Sequence, residues 1–226
     1  MERVNKILKV LKLHSSEESR KGMARYGINI EKAFGTGIPL LRGIAKLYGK
    51  NHELALLLWE TGYHEARILA TMIDNPKEVT EKQMEEWVMD FKSWDICDQC
   101  IMNLFEDMPF AWKKINDWCN REEEFVKRAG FVLIARLGVS DKKAKDESFL
   151  QFFPLIYKYA DDKRPMVKKA VNWALRQIGK RNKTLNKKAI ELAEKIYLKK
   201  SIAAKWIASD AIRELKSEAV QKRLKL

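Results

Sequence analysis

The sequence predicts an all-α protein, a solenoid built from stacked helix pairs. Two observations support this fold class. Apolar residues recur with a helical period of about 3.6 residues along most of the chain, while the alternating pattern typical of strands is scarce. Segments of the sequence also repeat at intervals near 40 residues, the spacing expected of two-helix repeat units.

Helices are indicated from the N-terminus onward. One face of a first helix is marked by Val4, Ile7, Leu8, Leu11 and Leu13, and the rhythm continues through residues 54–58 and 66–73. The prolines fall near predicted helix ends, where a fixed φ and a missing backbone donor are tolerated; they are Pro39, Pro76, Pro109, Pro154 and Pro165. The pattern predicts about a dozen short helices with brief connections.

A glycine-rich stretch, residues 35–39, precedes one of these helices. It lacks the Gly-Lys-Ser/Thr ending of a phosphate-binding loop. We therefore interpret it as a turn leading into a helix from Leu40 to Tyr48.

An internal repeat specifies the helix-pair architecture. Residues 125–138 align without gaps on residues 166–179, an offset of 41 residues, and residues 205–213 align on 168–176, an offset of 37. An earlier echo lies at residues 65–70. Two-helix repeats of this length are typical of HEAT-like solenoids. No Gly/Ser linker or low-complexity tract splits the chain, so residues 1–226 are interpreted as a single domain.

The net charge of +13 is concentrated in the C-terminal part of the chain. Residues 163–226 contain 19 basic and 5 acidic residues, a net charge of +14, whereas residues 1–162 contain 25 basic and 26 acidic residues. This asymmetry favours a polyanionic partner, above all nucleic acid, although a well-solvated basic surface is an alternative. A basic stripe able to follow a phosphate backbone would form if five residues share the concave face: Lys127, Arg128, Lys168, Lys169 and Lys205.

Composition argues against several other classes of protein. No run of 18 apolar residues occurs, and residues 1–8 show neither the apolar core nor the small-residue cleavage site of a signal peptide. We therefore expect no secretion, no membrane partner and a cytoplasmic location. Three cysteines are too few for a disulfide framework. Cys97 and Cys100 form a C-x-x-C inside a predicted helix, where neither a redox nor a zinc role is expected. We expect a monomer without metal or cofactor.

Residues 91–100 contain the best candidates for chemistry. Trp94 and Asp98 are four residues apart, so a helix places them on one face. A carboxylate beside an indole near a helix start is unusual on a solvated surface. Spacing alone leaves a structural alternative open, in which Trp94 belongs to the core and Asp95 or Asp98 caps or decorates the helix.

Five segments, taken in order, resemble the DNA alkylation repair enzyme family, the AlkD-like HEAT-repeat DNA glycosylases. They are HEARILA at 64–70, SWDICDQ at 93–99, VKRAGF at 126–131, KKAVNWALRQIGKRN at 168–182 and WIASDA at 206–211. The resemblance extends from about residue 20 to the C-terminus. It implies a right-handed superhelix of antiparallel helix pairs, with a basic concave groove that holds duplex DNA.

The resemblance also implies an activity, the excision of purines that carry a positive charge from alkylation at N3 or N7. The partner would be double-stranded DNA containing lesions such as 3-methyladenine and 7-methylguanine. Hydrolysis of the N-glycosidic bond would leave an abasic site, as in base excision repair. We expect a monofunctional enzyme, because no lysine near Asp98 stands out as a Schiff-base former.

Site residues follow from the same resemblance. The family's catalytic aspartate falls on Asp98, its pair of aromatic residues that cradle the DNA backbone on Trp94 and Trp173, and its phosphate-contacting arginine on Arg128. An ionised Asp98 would stabilise an oxocarbenium-like sugar and orient a water, since a cationic base needs no strong general acid to leave. Trp173 as a core aromatic and Arg128 as a solvated helix residue remain alternatives. Tyr26 matches a tyrosine of some family members and is interpreted as structural.

Two other functions remain open at this point. A non-catalytic HEAT-repeat scaffold that binds duplex DNA or structured RNA would use the same basic surface. A protein-interaction solenoid would bind an acidic peptide. The cluster of Trp94, Asp98 and Trp173 favours the glycosylase, because a binding module has no need to bring these three side chains together.

Overall fold

The chain is α-helical and contains no strand in the computed structural model, which describes residues 1–225. One 3₁₀ turn, Phe105–Asp107, lies between the seventh and eighth helices. In chain order the α-helices are α1 Glu2–Leu13, α2 Glu17–Arg25, α3 Ile38–Tyr48, α4 His52–Glu60, α5 His64–Ile73, α6 Glu81–Met89, α7 Trp94–Asn103, α8 Ala111–Asn120, α9 Glu124–Ser140, α10 Asp146–Leu150, α11 Phe153–Tyr159, α12 Pro165–Gly179, α13 Lys183–Tyr197, α14 Ile202–Leu215 and α15 Glu218–Lys225. This confirms the all-α class. Within residues 1–225, no helix combines the length and the apolar character needed to cross a membrane.

Local sequence explains where many of these helices begin. The side chains of Ser16, Asn51, Thr80, Asn182 and Ser201 each accept a hydrogen bond from the N–H three residues later, which satisfies one free donor of the first turn. Prolines occupy the first turn of α3, α11 and α12.

Two details of the sequence interpretation need correction. Helix α3 begins at Ile38, two residues before the predicted start at Leu40, because Pro39 fits its first turn rather than the preceding loop. Leu13 does not belong to the apolar face of α1 and is 81% exposed. It is the last residue of that helix, beyond the buried residues Val4, Ile7 and Leu11.

The helices form two compact units, and the first is Met1–Pro109. Here α5 packs against α3, α4 and α7, and α1 packs against α4. Hydrogen bonds in this unit recur between residues 31 positions apart, linking Phe34 with Glu65, Trp59 with Asp90 and His64 with Asp95. A single domain over residues 1–226 stays a prediction.

The second unit begins at Phe110, and its helices pack in pairs. Helix α8 packs against α9, α11 against α12, and α13 against α14, while α12 also contacts α9 and α14. Helices α9, α12 and α14 carry the three aligned segments of the internal repeat. They are therefore the equivalent helices of successive pairs, as a HEAT-like repeat requires.

Hydrogen bonds also recur along this second unit, here between residues 38 positions apart. They link Arg128 with Met166, Asn172 with Asp210, and Arg176 with Glu214. Each bond joins one repeated helix to the next. The repeat seen in the sequence thus corresponds to a repeat of contacts.

Candidate nucleic-acid site

Helix α7 carries Trp94 and Asp98 one turn apart. The Asp98 side chain is 9% exposed, and Trp94 is half-buried. The indole Nε1 of Trp94 donates a hydrogen bond to the backbone carbonyl of Tyr26 at 3.2 Å, which restrains the orientation of the ring. The first unit therefore offers a carboxylate and a restrained indole on neighbouring turns of one helix.

Tyr26 has a structural part in this arrangement through its backbone. Its carbonyl accepts the hydrogen bond from Trp94, while its own side chain is 71% exposed. The interpretation of Tyr26 as structural remains a prediction for the phenol ring, which lies at the surface.

Asp95, the neighbour of Asp98, is committed to a different contact. Its Oδ2 lies 2.8 Å from Nε2 of His64, which is itself buried at the start of α5. Burial raises the pKa of the Asp95 carboxyl, but the hydrogen bond and charge of His64 and further hydrogen bonds at the start of α7 together outweigh it, so this pKa lies below its ordinary value. Asp95 thus ties the start of α7 to α5, a role that the spacing of the two segments did not reveal.

Glu65 is a second buried acid whose role sequence reasoning missed. Its carboxylate accepts hydrogen bonds from the backbone N–H groups of Phe34, Gly35 and Thr36, and the side chain is 1% exposed. It holds the turn before α3 in place. In the sequence, Glu65 is marked only by its position inside the 64–70 segment, and that position does not indicate that it binds the backbone of residues 34–36.

The cysteines are buried in the helical core. Cys97, Cys100 and Cys119 are not joined in disulfides, and burial raises the pKa of Cys100 and of Cys119 well above the ordinary value for cysteine. Such thiols stay protonated near neutral pH. Among residues 1–225, no group of three or more His, Cys, Asp or Glu side chains is placed to hold a metal ion.

In the second unit, Trp173 and Arg128 lie on α12 and α9. Trp173 is half-buried, and Arg128 is 5% exposed. The Nη1 of Arg128 donates to the backbone carbonyl of Met166 at 2.7 Å, so part of the guanidinium fastens the first turn of α12 to α9. A phosphate contact by Arg128 stays a prediction. Such a contact would have to use N–H groups of the guanidinium other than the Nη1 donor bound to Met166.

The four lysines expected in the basic stripe differ in their exposure. Lys127 is 1% exposed, and its Nζ lies 4.0 Å from the centroid of the Tyr159 ring and 3.9 Å from Oε1 of Glu122. A buried amine offers no surface to a phosphate, so we remove Lys127 from the proposed DNA-binding residues. Its burial follows from Tyr159, which covers the amine.

The other three lysines reach solvent to different degrees. Lys168 is half-buried, with its Nζ 4.6 Å from the centroid of the Trp206 ring. Lys169 and Lys205 are exposed. These three residues lie in the first turns of α12 and α14. The convergence of Asp98, Trp94 and Trp173 on one groove stays a prediction.

Comparison with known proteins identifies relatives of the chain. A model of the DNA alkylation repair enzyme family matches residues 7–215, as the ordered segments predicted. One solved structure, described as "a new family of proteins related to the HEAT-like repeat DNA glycosylases with affinity for branched DNA structures", has a TM-score of 0.80 and 21% identity. The match covers 97% of this chain and 95% of that one. It confirms the HEAT-like repeat fold.

More distant matches include a designed armadillo repeat protein in complex with the peptide (KR)4. It has a TM-score of 0.32 and 16% identity, over 82% of this chain and 88% of that one. No curated protein matches the chain at a significant level.

Proposed function

Since the chain belongs to the DNA alkylation repair enzyme family, we propose that it is a monofunctional DNA glycosylase that removes N3- and N7-alkylated purines from duplex DNA. The observation that carries this proposal is the pairing on α7 of a nearly buried Asp98 with Trp94, whose ring is restrained by the Tyr26 carbonyl. A side chain held in place before substrate arrives needs little reorganisation at the moment of reaction.

The chemistry requires little more than this pair from the first unit. A purine alkylated at N7 or N3 already carries a positive charge, so it leaves as a neutral base when the bond between C1′ and the purine nitrogen breaks. The charge that develops is on the sugar. A carboxylate at Asp98 stabilises this oxocarbenium-like centre and orients the water, whose oxygen bonds to C1′ while its proton passes to solvent.

Trp94 acts on the same positive charge. The face of an indole is negative, so Trp94 favours a cationic sugar or a cationic base placed over it. A second indole face from Trp173 stays a prediction of the family resemblance. The leaving group departs without protonation, which reduces the need to flip the base into a deep pocket.

DNA affinity in this proposal comes from the C-terminal part of the chain. Residues 163–226 carry a net charge of +14, and Lys169 and Lys205 present exposed amines there. Contacts between lysines and phosphates supply sequence-independent binding. The lesion would then be selected by its charge at the reaction step rather than by base contacts.

The test is release of 7-methylguanine and 3-methyladenine from methylated duplex DNA. We expect the wild type to release free base and to leave abasic sites without strand cleavage. Asp98→Asn keeps the shape of the side chain but removes its charge, so we expect excision to fall by about 10²- to 10³-fold, with DNA affinity retained.

Asp95→Asn is the matched control, because it removes the neighbouring carboxylate on the same helix. Its amide oxygen can still accept a hydrogen bond from His64, so we expect excision within about threefold of the wild type. Full excision by Asp98→Asn would refute the catalytic assignment. Tight DNA binding by a wild type that releases no base would instead identify a binding protein, and a junction substrate would compare it with the structural relative that has affinity for branched DNA.

A further inference from the structure

Trp206 is the most solvent-exposed tryptophan of the chain within residues 1–225. Its side chain is 41% exposed, whereas the other six tryptophans are buried or half-buried. Tryptophan is enriched at binding surfaces, where its apolar ring and its N–H group can both contact a ligand. Neither the glycosylase chemistry nor the packing of α14 requires this exposure.

Three contacts define where Trp206 lies. Along α12, one face presents Lys168, Asn172 and Arg176, which meet Trp206, Asp210 and Glu214 in turn along α14. Each set is spaced by four residues, so each forms one stripe of its helix. Trp206 therefore lies at the junction of α12 and α14, near the first turns of both helices.

Trp173, the predicted site residue of α12, lies on the helix that packs against α14. Trp173 is half-buried, whereas its neighbour Asn172 is buried and donates a hydrogen bond to Asp210 of α14. Neighbouring helix axes are about 8–10 Å apart, so Trp206 and Trp173 belong to adjacent helices of the repeat.

The charges around Trp206 favour an anionic ligand. The Nζ of Lys168 lies 4.6 Å from the ring centroid. Lys169 follows Lys168 in the chain and Lys205 precedes Trp206, and both are exposed. The nearby acids are already paired. Asp210 is bound by Asn172 and Arg213, and Glu214 by Arg176 and Lys180.

An exposed aromatic ring with a lysine amine beside it matches one form of DNA better than another. In an intact duplex the bases stack on each other and expose only their edges in the grooves. An unpaired nucleotide exposes the face of its base together with its flanking phosphates. Proteins that bind single strands combine aromatic side chains that stack on bases with basic residues that bind phosphates.

We propose that Trp206, Lys168, Lys169 and Lys205 form a site for an unpaired nucleotide of DNA, with the base on the face of the indole opposite the Lys168 amine and its phosphates on the amines. The inference rests on the proposed function only for the identity of the partner as DNA. It goes beyond that function because unpaired nucleotides are a feature of DNA structure rather than of base damage.

The experiment compares two unmethylated DNAs that are identical except for a single-stranded flap of three thymines. Equilibrium binding to both is measured for the wild type, Trp206→Ala and Trp206→Phe. We expect the wild type to bind the flap DNA more tightly and Trp206→Ala to bind it about tenfold less tightly than the wild type, with duplex affinity within twofold. Trp206→Phe should keep most of the preference, since a phenyl ring also stacks.

Tyr197→Ala is the matched control. Tyr197 is another exposed aromatic of the second unit, 49% exposed on α13, and its removal should leave both affinities unchanged. Equal weakening of flap and duplex binding by Trp206→Ala would overturn the proposal in favour of a backbone contact. The absence of any effect would overturn it as well.

Excision assays keep this inference separate from the proposed glycosylase. Flap preference that depends on Trp206, in a protein that releases no methylated base, would support the site and refute the enzyme. Excision that depends on Asp98, in a protein without flap preference, would do the reverse.

Discussion

At the scale of single residues, Lys127 differs from the two lysines aligned with it in the repeat. Tyr159 of α11 covers Lys127, and Trp206 of α14 partly covers Lys168, but Lys205 is exposed. In the first two cases the aromatic comes from the following helix pair. Equivalent positions in the repeat therefore have different environments, and only two of the three amines are available to a ligand.

We predict that Lys127→Met has little effect on DNA binding. The unbranched apolar side chain fills the same space under Tyr159, and the amine that it replaces is 1% exposed. The dissociation constant for a short unmodified duplex, measured by fluorescence anisotropy, should stay within about twofold of the wild type. Loss of the interaction with the ring should lower the free energy of unfolding by no more than about 2 kcal/mol, because the added apolar contacts of methionine offset part of it.

Lys169→Met provides the comparison, because it removes an exposed amine from the repeat position adjacent to Lys168. We expect it to weaken duplex binding by about threefold to tenfold, in line with the loss of one phosphate contact. Should Lys127→Met weaken binding as much while remaining folded, the amine must leave its buried position when DNA binds.

Burial of individual residues was the least predictable feature of the candidate site. The sequence identified Trp94 and Asp98 as neighbours on a helix, because that conclusion depends only on spacing. The sequence did not indicate that Asp95 would form a hydrogen bond with His64, or that the Tyr159 ring would cover the Lys127 amine. Each of these contacts joins residues more than 30 positions apart in the chain. Such partners are selected by packing, which local patterns do not encode.

At the scale of helices, the repeat predicted more than the periodicity did. The aligned segments correspond to α9, α12 and α14, which pack side by side. The offset between two similar segments gives the length of one repeat, and this length can be measured without knowing where each helix begins or ends. The apolar pattern of α1 continues to Leu13, but its last buried residue is Leu11. The end of this helix extends beyond the core against which the rest of the helix packs.

The close contact of α8 and α9 depends on Gly130. A Cβ atom added at this position would lie 2.7 Å from both the backbone nitrogen and the Sγ of Cys119. Alanine is favoured over glycine within a helix by about 1 kcal/mol, but a clash with backbone forces the two helices apart. We therefore predict that Gly130→Ala lowers the free energy of unfolding by about 1–3 kcal/mol, as measured by urea denaturation.

Gly43→Ala is the control for this prediction. Gly43 also lies within a helix, α3, but a Cβ atom added there would meet no side chain or neighbouring helix of residues 1–225 within 4 Å. Here only the helix preference acts, and we expect a gain of about 0.5–1 kcal/mol. Stabilisation by both substitutions would mean that α8 and α9 can separate at little cost.

Over the chain as a whole, positive charge is concentrated in one region, whereas helical structure is not. Helices extend through both units, whereas the excess of positive charge lies in residues 163–226. In the proposed glycosylase, Asp98 comes from the part of the chain that is nearly neutral overall. Binding and chemistry would then depend on separate regions of the sequence, and substitutions should affect them separately.

Reversing charges at chosen positions shows whether DNA binding depends on the position of the charge or only on its total. In the double variant Lys169→Glu with Lys205→Glu, two exposed amines near the starts of α12 and α14 are reversed. Each lost phosphate contact lowers the slope of log affinity against log salt concentration by about 0.9. We expect the slope for duplex binding to fall in magnitude by about two, measured between about 50 and 200 mM salt.

The double variant Lys142→Glu with Lys143→Glu makes the same change in net charge at another place. Both lysines are exposed in the loop after α9, and Lys142 lines the same cleft as Gln177 and Lys180, which belong to the end of α12 rather than its start. If phosphates bind near the starts of α12 and α14, this variant should keep the slope of the wild type, because distant exposed charges are screened over about 10 Å at 0.1 M salt. Equal losses of slope in both variants would mean that the partner responds to the overall charge, and the surface around Lys169 and Lys205 would have no special part in binding DNA.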